Sequence, residues 1–183
     1  SLHPADPGSA PSNRLAGAAS ADITPDYPVR LSGYGSRRDV SQGVAQHLFA
    51  KALAIGGDEE GPAVLVTVDN CGVPAAMRDE VVRRLEAKTK VRDERFAIAS
   101  SHTHCAPMLT GVLPNLFSMD IPAEHLPAIE RYTRELTDKI EQVAPIGVPG
   151  SFSPRVRAFA AVVTIAGSNA RLLPDLTAAI DVE

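Results

Sequence analysis

The chain contains no tryptophan, and only three tyrosines and five phenylalanines in 183 residues. Its interior must therefore be built from Ala, Val, Leu and Ile. Two cysteines, Cys71 and Cys105, are too few for a disulfide framework and lack the paired spacing of a zinc ribbon. No run approaches the roughly 20 apolar residues needed to cross a bilayer, so no transmembrane segment is expected. Basic side chains are in the minority, 18 against 22 acidic ones, for a net charge of -4. A nucleic-acid binder would instead show a basic stripe, so nucleic acid is not an expected partner. Three catalytic signatures are also missing: Gly-x-Ser-x-Gly, the phosphate-binding Gly-x-x-x-x-Gly-Lys and a His-Glu-x-x-His helix. What remains, with 44% hydrophobic residues, suits one ordinary domain with ragged ends.

Ser1 opens the chain in place of Met, as expected after signal-peptide cleavage or in a fragmentary gene. Cleavage would make the protein secreted or periplasmic. Residues 1–14, rich in Pro, Ser, Gly and Ala, read as a disordered leader. From Leu15 the text becomes structured. A small-residue strand runs toward Pro25, followed by a loop through Tyr27, Pro28 and the turn Gly33-Tyr34-Gly35. A second strand covers 47–55 and stops at Gly56-Gly57. The run Ala63–Val68 (AVLVTV) is continuously apolar and β-branched, which predicts a strand buried on both faces. Pro74 opens a helix over 74–88, with Met77, Val81, Val82 and Leu85 at helical spacing. RFAIAS (95–100) is another short strand, so 63–100 reads as a βαβ unit with a parallel strand pair. A longer amphipathic helix follows over 126–143. Leu126, Ile129, Tyr132, Leu136, Ile140 and Val143 share one face, and Glu135 and Lys139 form an i,i+4 pair on the other. The expected fold is α/β: a mixed or mostly parallel sheet with flanking helices, in an incomplete domain.

Residues 145–183 differ in character. They carry six charged side chains, no lysine, and glutamate only at Glu183. This tail is expected to be atypical and not native to the fold, as a frameshift in GC-rich DNA would make it. Within it, 156–166 reads as a strand and Asp175–Ile180 (DLTAAI) as a helical turn.

Chemistry concentrates in Ser100-Ser101-His102-Thr103-His104-Cys105-Ala106-Pro107, directly after a strand. In α/β sheets, ligands gather beyond the carboxyl ends of parallel strands. On an extended backbone His102 and His104 point to the same side, and neutral imidazole is a favoured zinc ligand. The alternative reading leaves one histidine hydrogen-bonded in the interior and the other in solvent. Asp69 closes strand 63–68 on the same edge. Its carboxylate either fixes an imidazole through the second ring nitrogen or serves the Asp69-Asn70-Cys71-Gly72 turn. Cys105 reads as a buried structural cysteine, and Cys71 carries less signal still. His3, His47 and His125 read as surface or capping residues.

ADITP, LSGYGSR, QGV with FAKALAI, LVTVDNCGVP, MRDEVVRRLEAK and IASSHTHCAP occur in an order that resembles the N-terminal domain of neutral/alkaline (non-lysosomal) ceramidases. The resemblance covers about Leu15 to Ala144, and Ser-His-Thr-His-Cys-Ala-Pro is its most specific piece, where the family has Thr-His-Thr-His-Ser-Gly-Pro. It implies a zinc-dependent amidase that cleaves the N-acyl amide of ceramide, with a lipid or small amide as its partner. It also implies His102 as a zinc ligand, His104 as a catalytic residue lining the site, and Asp69, at an acidic position of the family's pattern, as a second catalytic candidate. The family's second zinc histidine, its glutamate and tyrosine ligands and its Asn-x-Gly-Asp-x-Ser-Pro-Asn motif are not found in this sequence. The chain alone is therefore expected to be inactive. Two other readings stand beside this one: another metallohydrolase with a His-x-His site, and a non-catalytic remnant.

Overall fold

A computed structural model describes residues 12–56, 61–112, 121–144 and 157–165. Five strands form one mixed sheet in the order β4-β3-β2-β1-β5. They are β1 (Ser12–Asp22), β2 (Phe49–Ile55), β3 (Ala63–Val68), β4 (Phe96–Ser100) and β5 (Arg157–Ile165). Two helices, α1 (Ala75–Lys88) and α2 (Leu126–Val143), complete the order β1-β2-β3-α1-β4-α2-β5. Only β3 and β4 run parallel; β1/β2, β2/β3 and β1/β5 are antiparallel. The sheet is thus mixed, not mostly parallel.

The βαβ unit is present as expected, with Val64 opposite Phe96 and Val68 opposite Ser100. Strand β1 begins at Ser12, ahead of the composition break at Leu15, because its pairing with β5 starts there, Ser12 opposite Ile165. The strand expected over 156–166 is β5, and it occupies one edge of the sheet. Residues 175–180 lie outside the described residues.

One expectation fails in an informative way. Strand β3 is not buried on both faces: Val64, Val66 and Val68 point inward, while Leu65 is 44% exposed. Strand β2 alternates in the same manner, with Ala50, Ala52 and Ala54 inside and Leu53 and Ile55 outside. A run of apolar residues does not reveal how many layers cover a strand, and among the described residues α1 and α2 join the core of a single face.

That core is asymmetric in size. The sheet contributes a floor of Ala19, Ala21, Ala50, Ala52 and Ala54 beside Val64, Val66 and Val68. Small side chains let α2 come close, so its Tyr132, Leu136, Ile140 and Val143 fill the space above. Helix α1 adds Met77, Val81, Val82 and Leu85, the residues expected from its periodicity. Between the helices, Arg84 of α1 bonds Asp138 at 2.7 Å and Glu141 at 3.0 Å, and Lys88 also pairs with Glu141. The expected Glu135–Lys139 pair is not formed. Tyr27 Oη donates to Glu135 at 2.7 Å and Arg131 bonds it at 2.7 Å, whereas Lys139 donates to the Asp22 carbonyl. Glu135 thus joins a tertiary partner, Tyr27, to the i,i+4 partner on its other side, Arg131. Lys139 reaches a tertiary carbonyl in place of an exposed helical pair that contributes only about 0.2–0.5 kcal/mol.

Two measurements test this packing. Leu136→Ala should cost about 2–5 kcal/mol in urea unfolding, because Leu136 is 1% exposed. The same change at Leu126, 43% exposed, should stay within about 0.5 kcal/mol. Equal effects at the two positions would show that α2 is not seated on the alanine floor.

Glu141 supplies the pH test. Burial raises its pKa, but hydrogen bonds from Lys88 and Arg84 outweigh that and hold it below the ordinary 4.5. A depressed folded pKa contributes stability that is complete above the ordinary value and is lost as pH falls through the folded value. Glu141→Gln should therefore flatten the acid limb of the stability–pH curve between about pH 5 and 3. An unchanged slope would remove the interhelical role assigned to this carboxylate.

Candidate metal centre

Parallel pairing brings two turns together at one edge of the sheet. After β3 the chain passes through Asp69–Gly72, where Asn70 Oδ1 accepts the Gly72 N–H at 3.3 Å. After β4 it passes through Ser101, whose N–H donates to the Val68 carbonyl at 3.0 Å. His102 then takes a left-handed conformation, φ 57°, and is the one non-glycine described residue with positive φ. The extended backbone expected through this motif is therefore broken at His102. The histidines nevertheless converge, because the left-handed turn swings the His102 ring back toward β3.

Its Nδ1 lies 2.7 Å from the Cys71 carbonyl oxygen. A carbonyl can only accept, so Nδ1 carries the proton and the Nε2 lone pair is free. That Nε2 stands 3.3 Å from His104 Nε2. Two nitrogens bound to a tetrahedral zinc at about 2.0–2.1 Å lie about 3.3–3.4 Å apart. The imidazole pair already has the spacing of one edge of such a site. Without a cation, the His104 Nε2–H can donate into the His102 lone pair; a cation would take the place of that proton. Cys71, His102 and His104 offer ligand atoms within 4.8 Å of one another, with Cys71 buried, His102 exposed and His104 half-buried. Cys71 Sγ lies 4.0 Å from the Nδ1 that its own carbonyl engages, so its carbonyl aims the ring from behind, as outer partners of metal-binding histidines do.

The other sequence candidates are placed as follows. The Asp69 carboxylate accepts the Phe49 N–H at 3.0 Å, while the partner of His102 Nδ1 is the Cys71 carbonyl. Asp69 also lines a cavity of about 880 Å³ with Tyr27, Val29, Leu48, Thr103 and Cys105, next to the histidine motif. Cys105, expected to be buried, is exposed. Ala106 is the residue turned inward there, because the left-handed turn upstream resets which side chains face the core. His47 is exposed and bonded through Nδ1 to Asp22 Oδ2 at 2.6 Å. Burial raises the Asp22 pKa, but hydrogen bonds from Thr24 and from His47 carry it below its ordinary value. His125 stands at the start of α2 without a side-chain cap bond.

Several residues that hold the motif carried no sequence signal beyond turn chemistry. Asn70, fully buried, donates from Nδ2 to the Pro107 carbonyl at 3.1 Å. The Ser32 N–H donates to the Ala106 carbonyl at 3.1 Å, and the Met108 N–H to the Arg30 carbonyl at 2.8 Å. Arg37 donates to the His104 carbonyl at 2.6 Å and to the Ser32 carbonyl at 3.0 Å. Only the Gly33-Tyr34-Gly35 turn hinted at this second support, and nothing local linked it to His104.

The class the fold and the site define is a mixed-sheet α/β domain with a potential metal-binding group beyond a parallel strand pair. The sequence profile described as "Neutral/alkaline non-lysosomal ceramidase, N-terminal" matches residues 15–129. The chain belongs to the neutral/alkaline non-lysosomal ceramidase family. It is 26% identical over 136 residues to the neutral ceramidase of Drosophila melanogaster, covering 67% of this chain and 19% of that protein. It is 29% identical over 96 residues to neutral ceramidase 2 of Arabidopsis thaliana, covering 51% of this chain and 13% of that protein. The crystal structure of neutral ceramidase from Pseudomonas aeruginosa superposes with a TM-score of 0.58 at 25% identity, over 71% of this chain and 20% of that one. The chain thus spans a fifth or less of the relatives it matches.

Asn70 gives a direct test of the motif's support. Asn70→Ala leaves the buried Pro107 carbonyl without its donor, and the expected cost is about 1–3 kcal/mol in chemical unfolding. A cost below about 0.5 kcal/mol would place Asn70 among residues of no structural consequence.

Proposed function

We propose that this chain is part of a zinc-dependent amidohydrolase that cleaves the N-acyl amide of ceramide to sphingosine and a fatty acid. His102 is the metal ligand in this reading. His104 is the adjacent site residue or second ligand, and Asp69 is a polar group of the neighbouring cavity. The observation that carries the reading is the 3.3 Å approach of the two Nε2 atoms, in a chain whose family consists of proteins named for ceramide hydrolysis. Zinc, when bound, lowers the pKa of a water ligand and polarises the scissile carbonyl.

The chain's own residues do three things. The Cys71 carbonyl fixes the His102 tautomer so that its lone pair faces the site. His104 presents a second nitrogen at tetrahedral spacing. The mainly apolar cavity beside Thr103 and Cys105 offers space to an apolar chain. A catalytic zinc normally takes three protein ligands and a water. Among the described residues the one such cluster is Cys71, His102 and His104. The 183-residue chain alone therefore holds zinc weakly and has no turnover in this reading.

In the full-length protein, His102→Ala should lose stoichiometric zinc and hydrolysis of a fluorescent short-chain ceramide, with far-UV circular dichroism unchanged. Retention of tightly bound zinc by that variant would overturn the assignment. Submicromolar zinc affinity of residues 1–183 alone, with turnover abolished by His102→Ala, would overturn the inactivity of the isolated chain.

A further inference from the structure

We propose that His47 is a specificity-determining residue of the cavity beside the histidine motif. Oriented by Asp22, its Nε2 accepts a hydrogen bond from a hydroxyl at the polar end of the ligand held there. The inference rests on the reading of that cavity as the seat of an amide with an apolar chain, and it names the group that recognises the other end. It starts from one short contact, His47 Nδ1 to Asp22 Oδ2 at 2.6 Å. An ionised carboxylate accepts and does not donate, so Nδ1 carries the proton. In the neutral ring Nε2 is then a bare lone pair. Among the described residues, both hydrogen-bond contacts of this ring are made at Nδ1, to Asp22 and Thr24, and His47 lines the cavity.

The pair is built into the strand ends. The Thr24 N–H donates to Asp22 Oδ1 at 2.8 Å, which leaves Oδ2 to the imidazole. Leu48, the next residue along, is pinned twice: its N–H donates to Thr24 Oγ1 at 2.8 Å and its carbonyl accepts the Ile23 N–H at 2.9 Å. The Phe49 N–H is held by Asp69 at 3.0 Å. The segment carrying His47 is thus fastened to the end of β1 and to the turn after β3, the turn whose Cys71 carbonyl aims His102. The cavity wall offers Val29, Leu31 and Leu48 to an apolar chain, while its carboxylates are Asp26 and Asp69, and no lysine or arginine among the described residues lines it. A phosphate or carboxylate head would meet charge of its own sign, whereas a hydroxyl meets an acceptor. A methyl ether can only accept, so it would set one lone pair against another.

The probe is 1-O-octylglycerol, a neutral alkyl chain with a hydroxyl end and no amide to cleave, set against its di-O-methyl derivative. Binding to the full-length protein is followed by calorimetry at about pH 8, above the ordinary imidazole value of about 6.5. The wild type should bind the hydroxylated probe about two- to tenfold more tightly, as one net hydrogen bond contributes. His47→Ala should bring that ratio to about one, with far-UV circular dichroism unchanged. Asp22→Asn is the second variant. Its Oδ1 can keep the Thr24 bond while its Nδ2 donates to His47 Nδ1, which moves the ring proton to Nε2. A donating Nε2 takes the ether as readily as the alcohol, so this variant should lose the discrimination by gaining affinity for the ether. A merely structural Asp22 would not produce that gain.

Equal discrimination in the wild type and His47→Ala would overturn the role of His47, and so would a wild type that binds neither probe or both alike. Unchanged discrimination in Asp22→Asn would overturn the orienting role of Asp22. The amidohydrolase reading fails by a separate result: no hydrolysis of fluorescent short-chain ceramide by the wild type, or zinc retained in His102→Ala. An alcohol-to-ether ratio that still depended on His47 would then leave a hydroxyl-recognising cavity without that chemistry.

Discussion

Because β3 and β4 run parallel with Val68 opposite Ser100, both strands leave the sheet at the same edge, and everything at the site follows from that coincidence. The turn after one strand supplies a carbonyl, that of Cys71, and the turn after the other supplies the imidazole it orients. An antiparallel partner would have sent the two exits to opposite edges of the sheet. The crossover through α1 that makes the pair parallel is therefore a precondition of the candidate centre, although α1 contributes no group to it.

Two further supports act on the same short segment. From the sheet side, Asn70 grips the Pro107 carbonyl. From the loop side, Arg30, Ser32 and Arg37 stitch the segment His104–Met108 through its backbone. Backbone bonds of this kind leave the side chains free, so Cys105 and Ala106 can differ from the family's Ser-Gly without unseating the histidines.

Much of this was legible in the residues. Periodicity located both helices and their buried faces except at Leu126, which the first turn leaves exposed, and the position of the histidine motif after an apolar run located the candidate site. Three things were not legible, each for a physical reason. The exposure of Leu65 depends on layers that a strand's own composition does not encode. The left-handed His102 replaces an extended backbone, and the modest enrichment of histidine at positive φ is too weak to mark one position in a sequence. The contact between Gly33 and His104 spans some seventy positions of chain, and a turn motif says nothing about what lies against it. The Glu135 interactions show the same limit, since Tyr27 lies far off in sequence and the helical partner Glu135 takes is Arg131, not Lys139.

The conformation of His102 has a thermodynamic consequence. A residue with a Cβ held near φ 57° costs about 1–2 kcal/mol relative to a residue at ease there. Glycine at this position would relax the backbone and delete the imidazole in one step, so the most stable version of this edge and the functional one are different sequences. Selection for thermal tolerance alone would drift toward glycine or asparagine at 102 and remove the imidazole on the way. Histidine at that position keeps a ring nitrogen 3.3 Å from His104 at a cost in backbone strain.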